Sequence, residues 1–248
     1  MEMKKTAAAV LSALFLMMNT ASVKADGYWQ DGYWDEASQT WVEGGWVETG
    51  GWNGGPRQEY VNGAVLNYDA NGNWTGTVVS GVPVYAQGGG GWGGITVGEG
   101  GTMAATGCVP TAAAVILNHF GIGGSPLDMA YVMNSYGSYN SWNGHGADSG
   151  GLAALCGSYG LGGIAFADYD TMYRELQRGK LVAAFIGGNT DYTHCVVLYG
   201  LDPAGNTNVS DPKGNAYRTN IAGIVGNMSA KPMDWSAGGP FVSFGYEW

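Results

Sequence analysis

The sequence is poor in charge, and above all in positive charge. Charged residues make up 12% of the 248 residues, and ten basic residues stand against twenty acidic ones, which gives a net charge of −10. A protein that binds nucleic acid needs clustered lysine and arginine to contact phosphates. The composition therefore excludes nucleic-acid binding and favours a substrate or partner that is neutral or basic.

Long hydrophobic runs are also scarce. The one clear run, residues 7–18, follows Lys4 and Lys5 and precedes a small residue, Ala25, which predicts a secretory signal over residues 1–25. Its apolar core is too short to anchor the chain, no later run is long enough to cross a bilayer, and no cysteine marks the cut site for lipid attachment. We expect a secreted protein without a membrane anchor, extracellular, or periplasmic in a Gram-negative bacterium. Cleavage removes three basic residues and one acidic residue, which changes the net charge from −10 to −12.

Cysteine is rare as well: only Cys108, Cys156 and Cys195 are present. An odd number in an exported chain leaves at least one thiol unpaired, as a thiol enzyme requires. A Cys156–Cys195 disulfide would spare Cys108. Alternatively both are buried free thiols, since both lie in apolar runs.

Glycine is abundant, with 45 residues, but it follows no triplet repeat, which excludes collagen. Residues 26–55 combine glycine with tryptophan every five to seven positions, a spacing that suits short strands and not a helix. These segments resemble the W-x-x-G-x-W repeats of bacterial exported proteins. Two interpretations remain open: contact with a cell wall or matrix through exposed aromatic residues, or a spacer.

Domain boundaries follow from these changes in composition. We predict a signal peptide at 1–25, a Trp/Gly-rich repeat region with a linker at 26–81, and a catalytic domain at 82–248. The linker contains an Asn71-Gly72 turn typical of a hairpin. Residues 88–94 are nearly all glycine, which allows the backbone to pass close to the segment around Cys108.

Periodicity and end signals predict helices first and an antiparallel sheet afterwards, an α+β arrangement. Helices are expected near 126–136, 152–159 and 169–178, the last with an exposed charged face formed by Arg174, Glu175 and Arg178. Strands are expected at 181–186, at the hairpin 192–212 and at 241–246.

Cys108 stands where a glycine-rich stretch meets a predicted helix that has Pro110 at its first position and ends at Gly121. Free backbone N–H groups and the helix dipole favour a thiolate at such a place. The alternative is a small buried apolar side chain. His119 closes the same helix, and we interpret it as structural.

Partners for this cysteine lie downstream. His194 begins an apolar, β-branched strand, and Asp211 ends the next extended run after a turn. If these strands pair as a hairpin, the two side chains meet near its open end. Cysteine, histidine and aspartate then follow one another in the chain order of Cys-His-Asp hydrolases.

Residues 82–87 (VPVYAQ), 107–111 (GCVPT), 193–198 (THCVVL) and 209–212 (VSDP) resemble papain-like cysteine peptidases, in the branch of the double-glycine-leader, or bacteriocin-processing, peptidases. Residues 104–109 are also similar to the nucleophile segment of streptopain. The resemblance implies a two-lobed fold with a helical lobe and a sheet lobe. It also implies Cys108 as nucleophile, His194 as base and Asp211 as the residue that orients the base.

The same resemblance raises the question of the oxyanion donors. Many of these peptidases carry a glutamine six residues before the nucleophile, and that position is Thr102 in this chain. Gln87, Thr102 and Gly107 are the candidates for oxyanion or substrate contacts, beside the backbone N–H of Cys108. No cofactor or metal is expected. His145 and Asp148 share a loop, but a zinc site needs three or four ligands, so we expect this loop to face substrate.

The predicted function is a secreted cysteine peptidase that cleaves a peptide or protein substrate. Two alternatives stay open. The same triad can serve a peptidoglycan amidase or endopeptidase, or an acyl-transfer enzyme, because a fold and triad do not fix the acceptor. The chain can also be an inactive surface or matrix binding protein, which the absence of glutamine at position 102 favours.

Overall fold

The structure is a computed structural model that describes residues 55–139 and 146–246, together with the backbone of four short strands nearer the N-terminus. The predicted signal peptide, residues 1–25, lies outside the described residues. The chain divides into two compact units, residues 1–55 and residues 56–248. Each unit is described by itself.

The four strands of the first unit lie in the tryptophan-rich block. They are β1 (Gly27–Gln30), β2 (Tyr33–Asp35), β3 (Thr40–Val42) and β4 (Gly45–Glu48). Strand β1 pairs antiparallel with β4, and β2 pairs antiparallel with β3. The register places Trp29 opposite Trp46 and Trp34 opposite Trp41. The tryptophan spacing therefore matches the strand pairing. What this block binds stays a prediction.

The second unit begins with a three-stranded antiparallel sheet formed by β5 (Arg57–Val61), β6 (Ala64–Tyr68) and β7 (Trp74–Val79). Its inner face buries Ala64, Leu66 and Val79 in the main core. The predicted boundary at residue 82 separates this sheet from the catalytic domain. The structure instead includes the sheet in the same compact unit, because its apolar face packs in the main core of that unit.

Six α-helices follow in the described residues, with two short strands, β8 (Thr96–Val97) and β9 (Gly101–Thr102), before the first of them. The helices are α1 (Met103–Thr106), α2 (Cys108–His119), α3 (Pro126–Ser135), α4 (Ser149–Ser158), α5 (Tyr169–Gln177) and α6 (Ile221–Gly226). A short 3-10 helix spans Pro232–Trp235. Helix α3 begins where the sequence predicts, because Ser125 and Asp128 form a reciprocal capping box.

The main sheet is antiparallel and contains β10 (Leu161–Gly162), β11 (Ala165–Phe166), β12 (Leu181–Ile186), β13 (His194–Tyr199), β14 (Asn206–Asp211), β15 (Asn215–Asn220) and β16 (Phe241–Tyr246). The order across it is β10, β16, β12, β13, β14, β15, and β11 also pairs with β16. The α+β class predicted from the sequence is confirmed.

Helices cover both faces of this sheet. One face packs with α2, α3 and α4 and receives Ala183, Phe185, Cys195 and Val197. The other face packs with α5 and α6 and receives Val182, Ala184, Val196 and Leu198. Successive residues of β12 and β13 thus point to opposite faces, as the two-residue period of a strand requires. Helix α2, which starts at Cys108, lies against the strand that starts at His194.

Glu175 corrects one expectation. The sequence predicts it on an exposed charged face of α5, but its side chain is buried. It accepts a hydrogen bond from Ser243 Oγ at 2.8 Å and lies 3.3 Å from Lys180 Nζ. A buried carboxylate is stable only with such partners. The sequence around Glu175 gave no sign of the hydrogen bond from Ser243, because Ser243 lies on the distant strand β16.

In the described part of the chain, no helix has both the length and the hydropathy that a membrane crossing demands.

Candidate active site

Cys108 is the first residue of α2, and Gly107 joins it to the short helix α1. The sequence predicts Pro110 at the first helical position. The structure starts the helix two residues earlier, which places Pro110 in the first turn, where its missing N–H is still harmless. A Cβ on Gly107 would lie 2.4 Å from Met103 O, closer than real Cβ contacts. Only glycine therefore permits the tight connection that presents Cys108.

The glycine-rich segment at 88–94 supports α1 through its backbone. Ala104 N donates to Gly93 O at 2.9 Å, and Met103 N donates to Ile95 O at 3.0 Å. A Cβ on Gly93 would lie 2.4 Å from Gly88 O, so the segment folds back on itself at that point. The sequence predicts this close approach to the region of Cys108.

His194 and Asp211 meet as the sequence predicts from the hairpin. Strands β13 and β14 pair with Val197 opposite Ser210, so the two side chains lie diagonally across the same pair of strands. His194 Nε2 lies 2.7 Å from Asp211 Oδ1. Asp211 Oδ1 also accepts a hydrogen bond from the backbone N–H of Lys213 at 2.8 Å. With Nε2–H donated to the carboxylate, Nδ1 is the nitrogen left to accept a proton.

Cys108 and His194 line one cavity of about 70 Å³. Its other lining residues are Ala105, Thr106, Val109, Gly146, Ala147, Phe185, Tyr192, Thr193, Cys195, Lys231, Met233 and Asp234. Pockets that enclose small molecules usually exceed roughly 300 Å³. The cavity is therefore large enough for a reacting group and too small for a whole peptide. Among the described contacts, no hydrogen bond joins Cys108 Sγ to His194.

Burial raises the pKa of Cys108 to about 11. The backbone N–H groups of Cys195, Val109 and Cys108 itself act in the opposite direction, and the carboxylate of Asp234 raises the pKa further. The sequence predicts a thiolate stabilised by the helix N-terminus. The N–H groups at the N-terminus do lower the pKa, but desolvation outweighs them, so the thiol is protonated near neutral pH.

The three candidates for oxyanion or substrate contacts, Gln87, Thr102 and Gly107, are not among the lining residues of the cavity. Gln87 Nε2 donates to Ala104 O at 2.8 Å, and its buried Oε1 has no hydrogen-bond partner. Thr102 precedes α1, and its carbonyl accepts a hydrogen bond from Thr106 Oγ1 at 3.1 Å. Gly107 forms the tight connection between α1 and α2, where a Cβ has no room.

Asp234 is a cavity residue that the sequence does not reveal. Its buried carboxyl accepts a hydrogen bond from Ser229 Oγ at 2.5 Å. Burial raises the pKa of this carboxyl, and the Thr193 hydroxyl acts in the opposite direction. Thr193 immediately precedes His194, so Asp234 lies near the start of β13. In the sequence Asp234 has the appearance of a helix-capping or turn residue within Pro-Met-Asp-Trp, and no spacing relates it to Cys108.

The loop predicted to face substrate contains His145, which lies outside the described residues. Asp148 caps α4 by accepting a hydrogen bond from Gly151 N at 2.6 Å. Across residues 55–139 and 146–246, no group of three or more His, Cys, Asp and Glu side chains is arranged to hold a metal ion.

The Peptidase_C39 like family matches residues 79–237. The chain belongs to this family. The match contains Cys108, His194 and Asp211, and it starts close to the catalytic-domain boundary predicted at residue 82. The predicted relation to the bacteriocin-processing peptidases is confirmed.

One solved structure similar to this Peptidase_C39 like chain is the peptidase domain of ComA from Streptococcus, a bifunctional ABC transporter involved in a quorum-sensing pathway. The two chains are 15% identical, with a TM-score of 0.40, and the match covers 56% of this chain and 91% of the other. Curated proteins gave no match.

Proposed function

We propose that this Peptidase_C39 like protein is a secreted cysteine peptidase that hydrolyses peptide bonds with Cys108, His194 and Asp211. The observation that carries the proposal is the 2.7 Å contact between His194 Nε2 and Asp211 Oδ1 at the wall of the cavity that also contains Cys108. A base held by a carboxylate beside a cysteine at a helix start is the arrangement that nucleophilic catalysis requires.

Each residue has a separate role in the proposed reaction. Asp211 holds His194 in the tautomer with a free Nδ1, which takes the proton of Cys108. The sulfur attacks the peptide carbonyl, the protonated imidazole gives its proton to the leaving amine, and water then hydrolyses the acyl-enzyme. Because burial keeps Cys108 protonated near neutral pH, proton transfer accompanies attack and does not precede it.

The developing oxyanion needs hydrogen-bond donors. The backbone N–H of Cys108 has no acceptor in the preceding turn of α2, since it opens that helix. Gln87 is the candidate for a second donor, but its amide now donates to Ala104 O. This role therefore requires that the Gln87–Ala104 hydrogen bond break when substrate binds.

The substrate class follows from charge and topology. A strongly acidic chain favours a neutral or basic peptide. The helical layer around α2 and the sheet layer around β13 would form the two lobes between which the peptide lies. The same proposal includes export from the cell and contact with a cell wall or matrix through the tryptophan block.

Replacement of Cys108 tests the proposal. In Cys108→Ala, turnover of a peptide library and of casein should vanish, together with iodoacetamide labelling at that position. Cys156→Ala is the matched control, because Cys156 is buried in α4 away from the cavity lining, and it should keep its activity. Hydrolysis that persists in Cys108→Ala would refute the assignment.

A non-catalytic binding role is the second candidate, and one observation favours it: Cys108 is only partly exposed, and desolvation raises the pKa of its thiol to about 11. A substrate-like electrophilic peptide that traps active-site cysteines distinguishes the two. Labelling of Cys108 in the native protein supports the peptidase. Failure of several such peptides, with normal labelling after unfolding, supports the binding role.

A further inference from the structure

The cavity contains a second thiol beside the proposed nucleophile. Cys195 follows His194 on β13, and like Cys108 it lines the cavity. All three cysteines are free. The Cys156–Cys195 disulfide considered from the sequence is therefore not formed, and Cys195 remains available for other sulfur chemistry.

The Cys195 side chain lies on the face of the main sheet that α2 covers. Cys195 and Val197 belong to the core cluster that includes α2, whereas Val196 and Leu198 belong to the cluster on the opposite face. Cys108 packs against the first cluster. The two thiols therefore belong to the same cavity, one on α2 and one on β13.

The electrostatics of the two residues agree with this placement. The backbone N–H of Cys195 lowers the pKa of the Cys108 thiol. In the other direction, the charge of a Cys108 thiolate raises the pKa of Cys195, second only to burial.

We propose that Cys108 and Cys195 form a two-cysteine redox site, in which a hydroperoxide oxidises Cys108 and Cys195 then closes a reversible disulfide. In the first step the Cys108 sulfur attacks a peroxide oxygen, the O–O bond breaks, and the sulfur becomes a sulfenic acid. His194 takes the thiol proton and returns it to the leaving oxygen, which departs as water or alcohol.

The second step joins the two residues. The Cys195 sulfur attacks the Cys108 sulfur, the S–O bond breaks, and the hydroxide leaves as water with the proton that Cys195 gives up. Two thiols and one hydrogen peroxide thus yield one disulfide and two waters. Cys108 carries out the oxidation because it is partly exposed, while Cys195 is fully buried and serves only as the resolving thiol.

The consequence for activity depends on the proposed function. A disulfide would block the nucleophile, and a thiol reductant would restore it. Without Cys195, peroxide would carry Cys108 on to sulfinic acid, which reductants do not reverse. The pair would therefore protect a catalytic thiol that works in the oxidising surroundings expected for an exported chain.

Peptide mapping of the full chain tests the pair without any substrate. After a brief treatment with hydrogen peroxide and alkylation of the remaining thiols, a crosslink between the Cys108 and Cys195 peptides should appear and disappear with dithiothreitol. In Cys195→Ala the crosslink should be absent and Cys108 sulfinic acid should accumulate several-fold. Cys156→Ala should behave like the original chain, with its activity intact before treatment.

The mapping distinguishes failure of the redox site from failure of the proposed peptidase activity. A native chain that forms only sulfinic acid at Cys108, that crosslinks Cys156 to Cys195, or that leaves Cys108 unoxidised would overturn the redox site. This mapping uses the unsubstituted chain, so it does not depend on the folding of Cys195→Ala. A crosslink in a protein that cleaves no peptide would keep the redox site and reject the peptidase.

Discussion

The protonation of Cys108 depends on individual neighbouring groups that have opposite effects on its pKa. Burial is the largest influence and raises the thiol pKa, and the backbone N–H of Cys195 lowers it. The carboxyl of Asp234 adds a negative charge to the same cavity, which disfavours a second one on sulfur. Asp234 therefore opposes thiolate formation at Cys108.

Replacing Asp234 by asparagine should make Cys108 more reactive. The amide keeps a hydrogen-bond acceptor for Ser229 but removes the charge. An interaction between charges on the order of 1 kcal/mol changes the thiolate population roughly fivefold. The rate of iodoacetamide alkylation at pH 8 should rise by about that factor, and its pH midpoint should shift downward from that of the unsubstituted chain.

Asp170→Asn is the control for this measurement. Asp170 is an exposed carboxyl in the first turn of α5 that does not line the cavity, so its removal changes the net charge by the same amount. An equal increase in both variants would show that overall charge, and not the Asp234 carboxyl, controls Cys108. A midpoint that does not move in Asp234→Asn would contradict the prediction directly.

The sequence could predict the helix start at Cys108 and the meeting of His194 with Asp211, because each residue stands at the end of an element whose type could be predicted. It did not locate Asp234. That residue reaches the cavity through the chain after α6, where no periodic pattern fixes the path. The raised pKa of Cys108 was also not predictable, because it depends on how completely neighbouring elements exclude water.

Among the elements, the connection between α1 and α2 positions Cys108, the proposed nucleophile. Thr106 Oγ1 donates to Thr102 O, and Gly107 N donates to Met103 O at 2.9 Å, so α1 closes immediately before α2 opens. The sequence predicted α2 from its apolar run but not α1, whose four residues are too few for a periodic signal.

Gly107→Ala should distort this connection. The added Cβ would lie 2.4 Å from Met103 O and 2.9 Å from Met103 Cε, and the carbonyl belongs to backbone that cannot yield as a side chain does. The free energy of unfolding should fall by about 1–3 kcal/mol. Peptidase activity should fall at least tenfold, because displacement of Cys108 relative to His194 affects the chemical step. Urea unfolding and steady-state kinetics measure the two effects.

A second glycine-to-alanine change serves for comparison. Gly157 lies on the exposed side of α4, and a Cβ there would meet no atom within 4 Å. Since alanine is the better helix former, Gly157→Ala should raise the free energy of unfolding by up to about 1 kcal/mol and leave kinetics unchanged. If Gly107→Ala matched it in stability and activity, the close contact at Gly107 would be without consequence.

For the molecule as a whole, the predicted domain boundary and the observed compact unit differ in how they assign residues 57–79. The Asn71-Gly72 turn correctly indicated a hairpin. The prediction of a linker, however, did not account for the buried apolar face of the sheet that this segment forms. Thr77 pairs with Leu201 through two backbone hydrogen bonds, and Thr77 Oγ1 donates to Gln177 O at 2.6 Å. Contacts so distant in sequence leave no local pattern, so composition alone could not assign this sheet to either unit.

Leu66→Ala tests whether this sheet is part of the cooperative unit that contains the site. Leu66 is buried in the main core, whereas Val78, on the adjacent strand, is 54% exposed. Leu66→Ala should lower the free energy of unfolding by about 2–4 kcal/mol, and Val78→Ala by less than about 1 kcal/mol. The readout is the urea concentration at which Cys156 becomes reactive toward a thiol reagent, because Cys156 is fully buried in α4.

A lower concentration for Leu66→Ala than for Val78→Ala would mean that the N-terminal sheet and the helices around Cys108 unfold together. Equal concentrations would mean that the sheet melts separately, in which case the boundary near residue 82 describes the energetics better than the compact unit does.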